Sequence, residues 1–216
     1  MTEFHGIYKD EYGEEDVSIR LDENGRLLRM TLRGVEFTGY SFDTLSPNKD
    51  VANLQNSFSL SETNELHSFE LRCETSVIIV VDGRDVGGLL KIHCYVCSPE
   101  KEWEEDAFLQ LTLLFNNTLV QSDWCKTGFE DELINLAQKL PENTYLKCCS
   151  KCQFASYNPY WNSGLMGELA CFVDAEDQHS YRGKGFPGWR KGEYVLVQEL
   201  FVCSEFQPIT SENRSI

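Results

Sequence analysis

The chain has 216 residues, 41% of them hydrophobic and 12% aromatic, with 35 acidic residues against 19 basic ones and a formal net charge of -16. That length and composition suit one large or two small domains with a buried core, and they exclude wholesale disorder. So acidic a chain lacks the lysine and arginine that phosphate contacts need, which argues against nucleic-acid binding and permits steering toward a basic partner.

Met1 to Asp10 contains neither a basic leader region nor an apolar run, and no apolar segment approaches the length of a membrane span. A cytoplasmic location without membrane contact is therefore expected. In that compartment the nine cysteines should stay thiols or metal ligands, and their odd number prevents complete intramolecular pairing.

In chain order, Val17 to Leu21 alternates apolar and polar, Asp22 to Gly25 has turn composition, and Arg26 to Arg33 returns as a second strand. Val35 to Phe42 reads as a third. Residues 44–64, rich in Ser, Asn, Thr and Asp, predict a long surface connection with a short element. His67 to Arg72 alternates again, and Val77 to Val81 is a β-branched apolar run. Asp82 to Gly88 supplies a turn before Leu89 to Val96, and Phe108 to Phe115 is a further strand after an acidic loop. This succession predicts a sandwich-like antiparallel lobe over residues 1–122.

From residue 123 the pattern changes. Phe129, Leu133, Leu136, Ala137 and Leu140 recur at helical spacing, with acids in the first turn and Pro141 as the stop. Tyr194 to Cys203 favours a strand by β-branched content, and a helix is the alternative. Residues 123–216 thus read as one helix plus a cysteine-rich portion that can pack with the first lobe as one unit. The fold class is α+β, mainly antiparallel β.

The strongest chemical signal is Cys148, Cys149 and Cys152 within five positions, followed by Cys171 and Cys203. A two-residue gap lets Cys149 and Cys152 reach one ion from a tight turn, and four thiolates close a tetrahedral zinc shell with no position left for water. Cys149, Cys152, Cys171 and Cys203 are the expected ligands of a structural Zn2+ site. Cys148 competes with its neighbour Cys149, and a cluster of reduced buried cysteines is the alternative. Cys94 shares a strand face with Leu90, Ile92 and Val96 and reads as core, as does Cys73. Cys125 precedes the helix without a histidine beside it and also reads as structural.

His5, His67, His93 and His179 are scattered without metalloprotease spacing, and His93 reads as an exposed or edge residue. Gly183 to Gly188 formally matches a dinucleotide fingerprint, but Pro187 interrupts it and no strand precedes it. Arg182, Lys184, Arg190 and Lys191 around it read as a solvated basic loop. Trp103 sits among Glu102, Glu104, Glu105 and Asp106, an acidic aromatic loop suited to receiving a partner with a basic surface. A solvated hairpin loop is the plainer reading.

The segments Gly128 to Leu133, Leu140-Pro141, Tyr145 to Lys147, Cys149 to Cys152, Tyr157 to Pro159, Gly164 to Gly167, Leu169 to Phe172, Val197 to Glu199 and Cys203 to Phe206 resemble a family of uncharacterised bacterial proteins carrying a domain of unknown function. The resemblance covers roughly the last ninety residues well and the β-rich part loosely. Ser204 stands where the pattern has proline, and the tail is not basic. The resemblance supports the four-cysteine metal site and implies no activity or catalytic residue. The expected function is a non-enzymatic acidic interaction protein, of the kind represented by an immunity-type inhibitor of a basic toxin domain. The alternatives are a metal-dependent hydrolase with an open ligand position and a structural adaptor module.

Overall fold

The computed structural model describes residues 2–48, 54, 56–98, 108–123, 128–157, 164–175 and 194–209. Trp103 with Glu102, Glu104, Glu105 and Asp106 lies outside them, as do Cys125, His179, the Gly183 to Gly188 segment, and Arg182, Lys184, Arg190 and Lys191.

The described chain is mainly antiparallel sheet with one α-helix. Strands β1 (Glu3–Asp10), β2 (Gly13–Leu21), β3 (Leu28–Leu32), β4 (Val35–Gly39) and β5 (Ser46–Pro47) are followed by the long β6 (Phe69–Val81) and β7 (Arg84–Val96). Then come β8 (Phe108–Phe115), β9 (Thr118–Gln121), helix α1 (Phe129–Gln138), β10 (Thr144–Leu146), β11 (Ala155–Tyr157), β12 (Glu168–Cys171) and β13 (Val195–Gln198). The first nine strands hydrogen-bond in the order β5-β4-β3-β2-β1-β6-β7-β8-β9, and β10 adds to β6. A second sheet has the order β11-β12-β13.

Three two-residue turns set the register of the large sheet. Arg33-Gly34 (φ 49° and 74°), Asp82-Gly83 (48° and 77°) and Asn116-Asn117 (45° and 59°) are left-handed at both positions. That conformation matches the twist of the flanking strands and closes the hairpins on Leu32–Val35, Val81–Arg84 and Phe115–Thr118. With register fixed, alternation decides which face is apolar. On β8, Leu109, Leu111, Leu113 and Phe115 turn inward, and their partners on β7 include Ile92 and Cys94. Leu90, Ile92, Cys94 and Val96 are all buried, as their shared face predicts, and Cys73 joins the same core.

Helix α1 packs across β8 through Phe129, Leu133 and Leu136. Glu132 on that face is also buried, where its carboxylate accepts the Ser122 hydroxyl. Ser122 Oγ in turn accepts the Leu111 backbone N–H at 2.9 Å. At the far end Lys139 donates to Asp123 at 2.7 Å and to the Gln121 carbonyl at 3.1 Å.

Some segments differ from the expectation. Of the alternating residues 67–72, Phe69 to Arg72 join the apolar run 77–81 in the single strand β6, while His67 and Ser68 precede it. The connection 44–64 is not wholly superficial, because Leu45 and Phe58 are core residues. His93 sits on the interior strand β7, half-buried against Phe108 and 2.6 Å from a Glu70 carboxylate oxygen. The helix and Leu146 share the main core, so these parts of residues 123–216 pack with the N-terminal lobe. Tyr194 to Cys203 is a strand only over Val195–Gln198 and then turns.

Candidate metal centre

Cys149 begins a short 3-10 turn, Cys149–Lys151, that folds Cys152 back so that its N–H reaches the Cys149 carbonyl at 3.0 Å. The tail locks onto this turn through Gln153 N–H to the Gln207 carbonyl at 2.7 Å and Ile209 N–H to the Lys151 carbonyl at 3.1 Å. Cys171 closes β12, paired with Ala155 of β11 on one side and Val195 of β13 on the other. Cys203 follows two residues after Phe201, whose carbonyl accepts the Cys149 N–H at 2.8 Å. Three chain segments thereby bring Cys149, Cys152, Cys171 and Cys203 to one corner beside the small sheet. Cys149, Cys152 and Cys171 are buried, and Cys203 is partly exposed.

The thiols feel one another. Burial pushes the Cys149 thiol above its ordinary range, and the neighbouring Cys152, Cys171 and Cys203 add to the shift. Burial likewise raises Cys171, helped by Cys152 and Cys203. Negative charge on several of these sulfurs is therefore disfavoured without a compensating cation. Cys149, Cys152, Cys171 and Cys203 are free thiols, and among the described residues no three His, Cys, Asp or Glu side chains are arranged as a metal shell.

The adjacent cysteines separate. Cys149 packs with Leu169, Cys171 and Val197 in the core of the small sheet, whereas Cys148 belongs to the main core. Cys148 Sγ lies 3.0 Å from Ser150 Oγ. Extended backbone at Cys148 (φ -160°, ψ 170°) accounts for the split, since successive side chains on extended chain point to opposite sides. Of the two, Cys149 is the residue facing the other three cysteines.

A polar knot that the sequence reading did not assign stands beside the thiols. Glu199 is fully buried, and its carboxyl accepts the Tyr157 hydroxyl at 2.7 Å and the Gly167 N–H at 2.8 Å. Its carbonyl accepts the Ser150 N–H at 3.1 Å. Burial pushes the Glu199 carboxyl up to about 8, against the opposing pull of those two donors. The signal was a lone acid inside the apolar run Val195 to Val202, a setting that requires satisfied partners.

A second set of contacts docks this corner on the large sheet. Gly164 to Gly167 turns its amides onto the Ser41–Asp43 turn, with Leu165 N–H to Asp43 at 3.3 Å and Met166 N–H to the buried Ser41 Oγ at 3.1 Å. A Cβ on Gly164 would stand 2.8 Å from both Asp43 carboxylate oxygens, so the loop needs glycine there. Gln198 donates its amide to the carbonyls of Arg26 at 2.8 Å and Tyr40 at 2.6 Å. Arg26 pairs with Glu168 at 2.5 Å.

No helix among the described residues is long and apolar enough to cross a membrane. No curated protein and no solved structure matches the chain. A family model described as a family of unknown function, DUF6304, matches residues 2–155. The match takes in the large sheet, α1, Cys149 and Cys152, and leaves Cys171 and Cys203 beyond its end. It overlaps the segments that carried the resemblance only over residues 128–155 and extends through the β-rich part instead. The chain belongs to the family of unknown function DUF6304.

Proposed function

We propose that this chain is a non-enzymatic acidic interaction protein of the bacterial cytosol, an immunity-type inhibitor that captures a basic toxin domain and is held together at its C-terminal end by zinc. The convergence of Cys149, Cys152, Cys171 and Cys203 from three segments carries the metal half of this reading. Four thiols are the donor set of a closed structural zinc site. The cation would offset the mutual repulsion that now disfavours their ionised forms. The partner half rests on the net charge of -16, which steers encounter with a basic surface.

The test is co-purification from the native host followed by reconstitution with the recovered partner. A basic protein should form a complex that weakens as salt rises and weakens further with Trp103→Ala. If no basic protein binds at low salt, capture is overturned. The zinc half is read separately by native mass measurement, where one zinc per chain is expected.

A further inference from the structure

We propose that a gap in the large sheet, between β1 and β10 along the edge of β6, is a strand-accepting site for an extended segment of a basic protein. This deepens the interaction-protein reading and rests on it. On one side β6 is paired along its whole length, from Phe69 opposite Val96 to Val81 opposite Arg84. On the other side β1 covers only Glu70 to Glu74, and β10 covers only Ile79 to Val81. Between them Thr75 to Ile78 has no partner strand among the described residues; Lys147 N–H reaches the Ile78 carbonyl at 2.8 Å.

The direction of the free groups follows from the hairpin. It closes on the Val81–Arg84 pair through a two-residue turn, so odd-numbered residues of β6 exchange hydrogen bonds with β7. Even-numbered residues turn their N–H and C=O to the opposite edge. Both backbone groups of Ser76, and the Ile78 N–H, therefore face the gap.

The gap begins where β1, after running antiparallel to β6 from Lys9 to His5, parts from it. At Gly6 the strands approach so closely that a Cβ would stand 2.1 Å from the Arg72 carbonyl oxygen and 2.5 Å from the Cys73 Cα. Beyond the His5–Glu74 pair, Phe4 and Glu3 leave β6 and stay paired with Ile19 and Arg20 of β2. The opening leads to a cavity of about 470 Å³ whose lining includes Ser76, Ile78, Leu200, Phe201 and Val202. Four residues of strand span roughly 13 Å, enough for a short β-addition.

An open strand edge recognises another backbone, and the side chains around it select the sequence. The partly buried Phe201 and Val202 offer an apolar surface to side chains of an added strand. Glu3 and Glu74 also line the cavity, and its lining lysine, Lys147, is already paired with Asp85 at 2.7 Å. Glu3 is shared with Arg20 at 2.9 Å, and Glu74 faces Lys91 at 3.7 Å and His5 is close by. With the chain at -16, an incoming segment bearing lysine or arginine is favoured over an acidic one.

The test follows backbone amide exchange by NMR in the full chain. The probes are the blocked peptides Lys-Val-Thr-Val-Lys and Glu-Val-Thr-Val-Glu at millimolar concentration. The basic peptide should slow exchange of the Ser76 and Ile78 amides at least tenfold, and the acidic one should do so less. Ser76→Pro, which removes the gap-facing donor and no bond to β7, should abolish that binding. Glu74→Lys, which leaves the backbone intact, should weaken only the basic peptide. Slow Ser76 exchange in the free protein, concentration-dependent protection without peptide, or protection confined to other residues overturns the site. Absence of protection by either peptide does so too. A basic protein partner whose complex survives Ser76→Pro overturns the gap alone and leaves capture standing.

Discussion

Tyr157 donates its hydroxyl at 2.7 Å to the fully buried Glu199, joining the end of β11 to the residue that follows β13. Because burial holds the Glu199 carboxyl protonated up to about 8, the folded protein keeps a proton that the unfolded chain releases near the ordinary value of 4.5. The sign of the linkage follows: this group's contribution is full below about 4.5 and falls as pH rises toward 8. Thermal unfolding of the parent and of Glu199→Gln, at matched zinc content, should show the parent's advantage shrinking across that window and levelling above it. A constant difference would remove the assignment. Tyr157→Phe, which strips one donor from the pocket, should cost about 1–3 kcal/mol.

Zinc content should depend on Cys149 and not on Cys148. Cys149→Ser and Cys171→Ser are expected to lose the ion and to melt lower, while Cys148→Ser keeps one zinc per chain. Chelation should expose four further thiols to a titrant. A native protein that titrates all its thiols freely and keeps its stability under chelation would leave the cysteines as reduced core residues.

Gly164→Ala should loosen the contact between the small sheet and the Ser41–Asp43 turn. The added methyl meets the Asp43 carboxylate at 2.8 Å, and the strain costs about 1–3 kcal/mol. Amide hydrogen exchange at Leu165 and Met166, whose N–H groups bond Asp43 and Ser41, reads this directly, with faster exchange in the variant.

Leu136→Ala removes a side chain that is 2% exposed on the helix face against β8 and should cost about 2–5 kcal/mol in denaturant unfolding. Ala137, on the same predicted stripe, is already small and only partly buried, so Ala137→Ser should change stability far less.

Elements whose signal lies in adjacent residues were legible. The alternation from Phe108 to Phe115 gives β8 with its bounds, and the 3.6-residue spacing of Phe129, Leu133 and Leu136 gives α1. The turn at Asp82-Gly83 was visible, but Arg84 to Gly88 continued as strand because pairing with β6 outweighs two poor strand formers, Gly87 and Gly88. The division of β6 into two pieces came from the change of pattern after Thr75. Ile79 and Val80 are both buried while Ile78 is partly exposed, so strict alternation lapses near β10. At the site, the cysteine spacing singled out Cys149, Cys152, Cys171 and Cys203, which the fold places near enough to act on one another electrostatically. Nothing local could identify their polar support, since Asp43, Tyr157, Gly167 and Glu199 meet only after distant segments pack. The opening between β1 and β10 is still less local, because it is set by where two strands far apart in sequence stop pairing with a third.

The split between Cys148 and Cys149 has a mechanical consequence. One peptide unit carries neighbouring side chains committed to two different cores, so neither sheet can shear away without rotating that unit and pulling a sulfur from each. The pair acts as a rivet, and the two sheets are expected to melt as a single cooperative step by probes placed in either one. Removing zinc would then lower that one transition for the entire chain rather than release the C-terminal end alone.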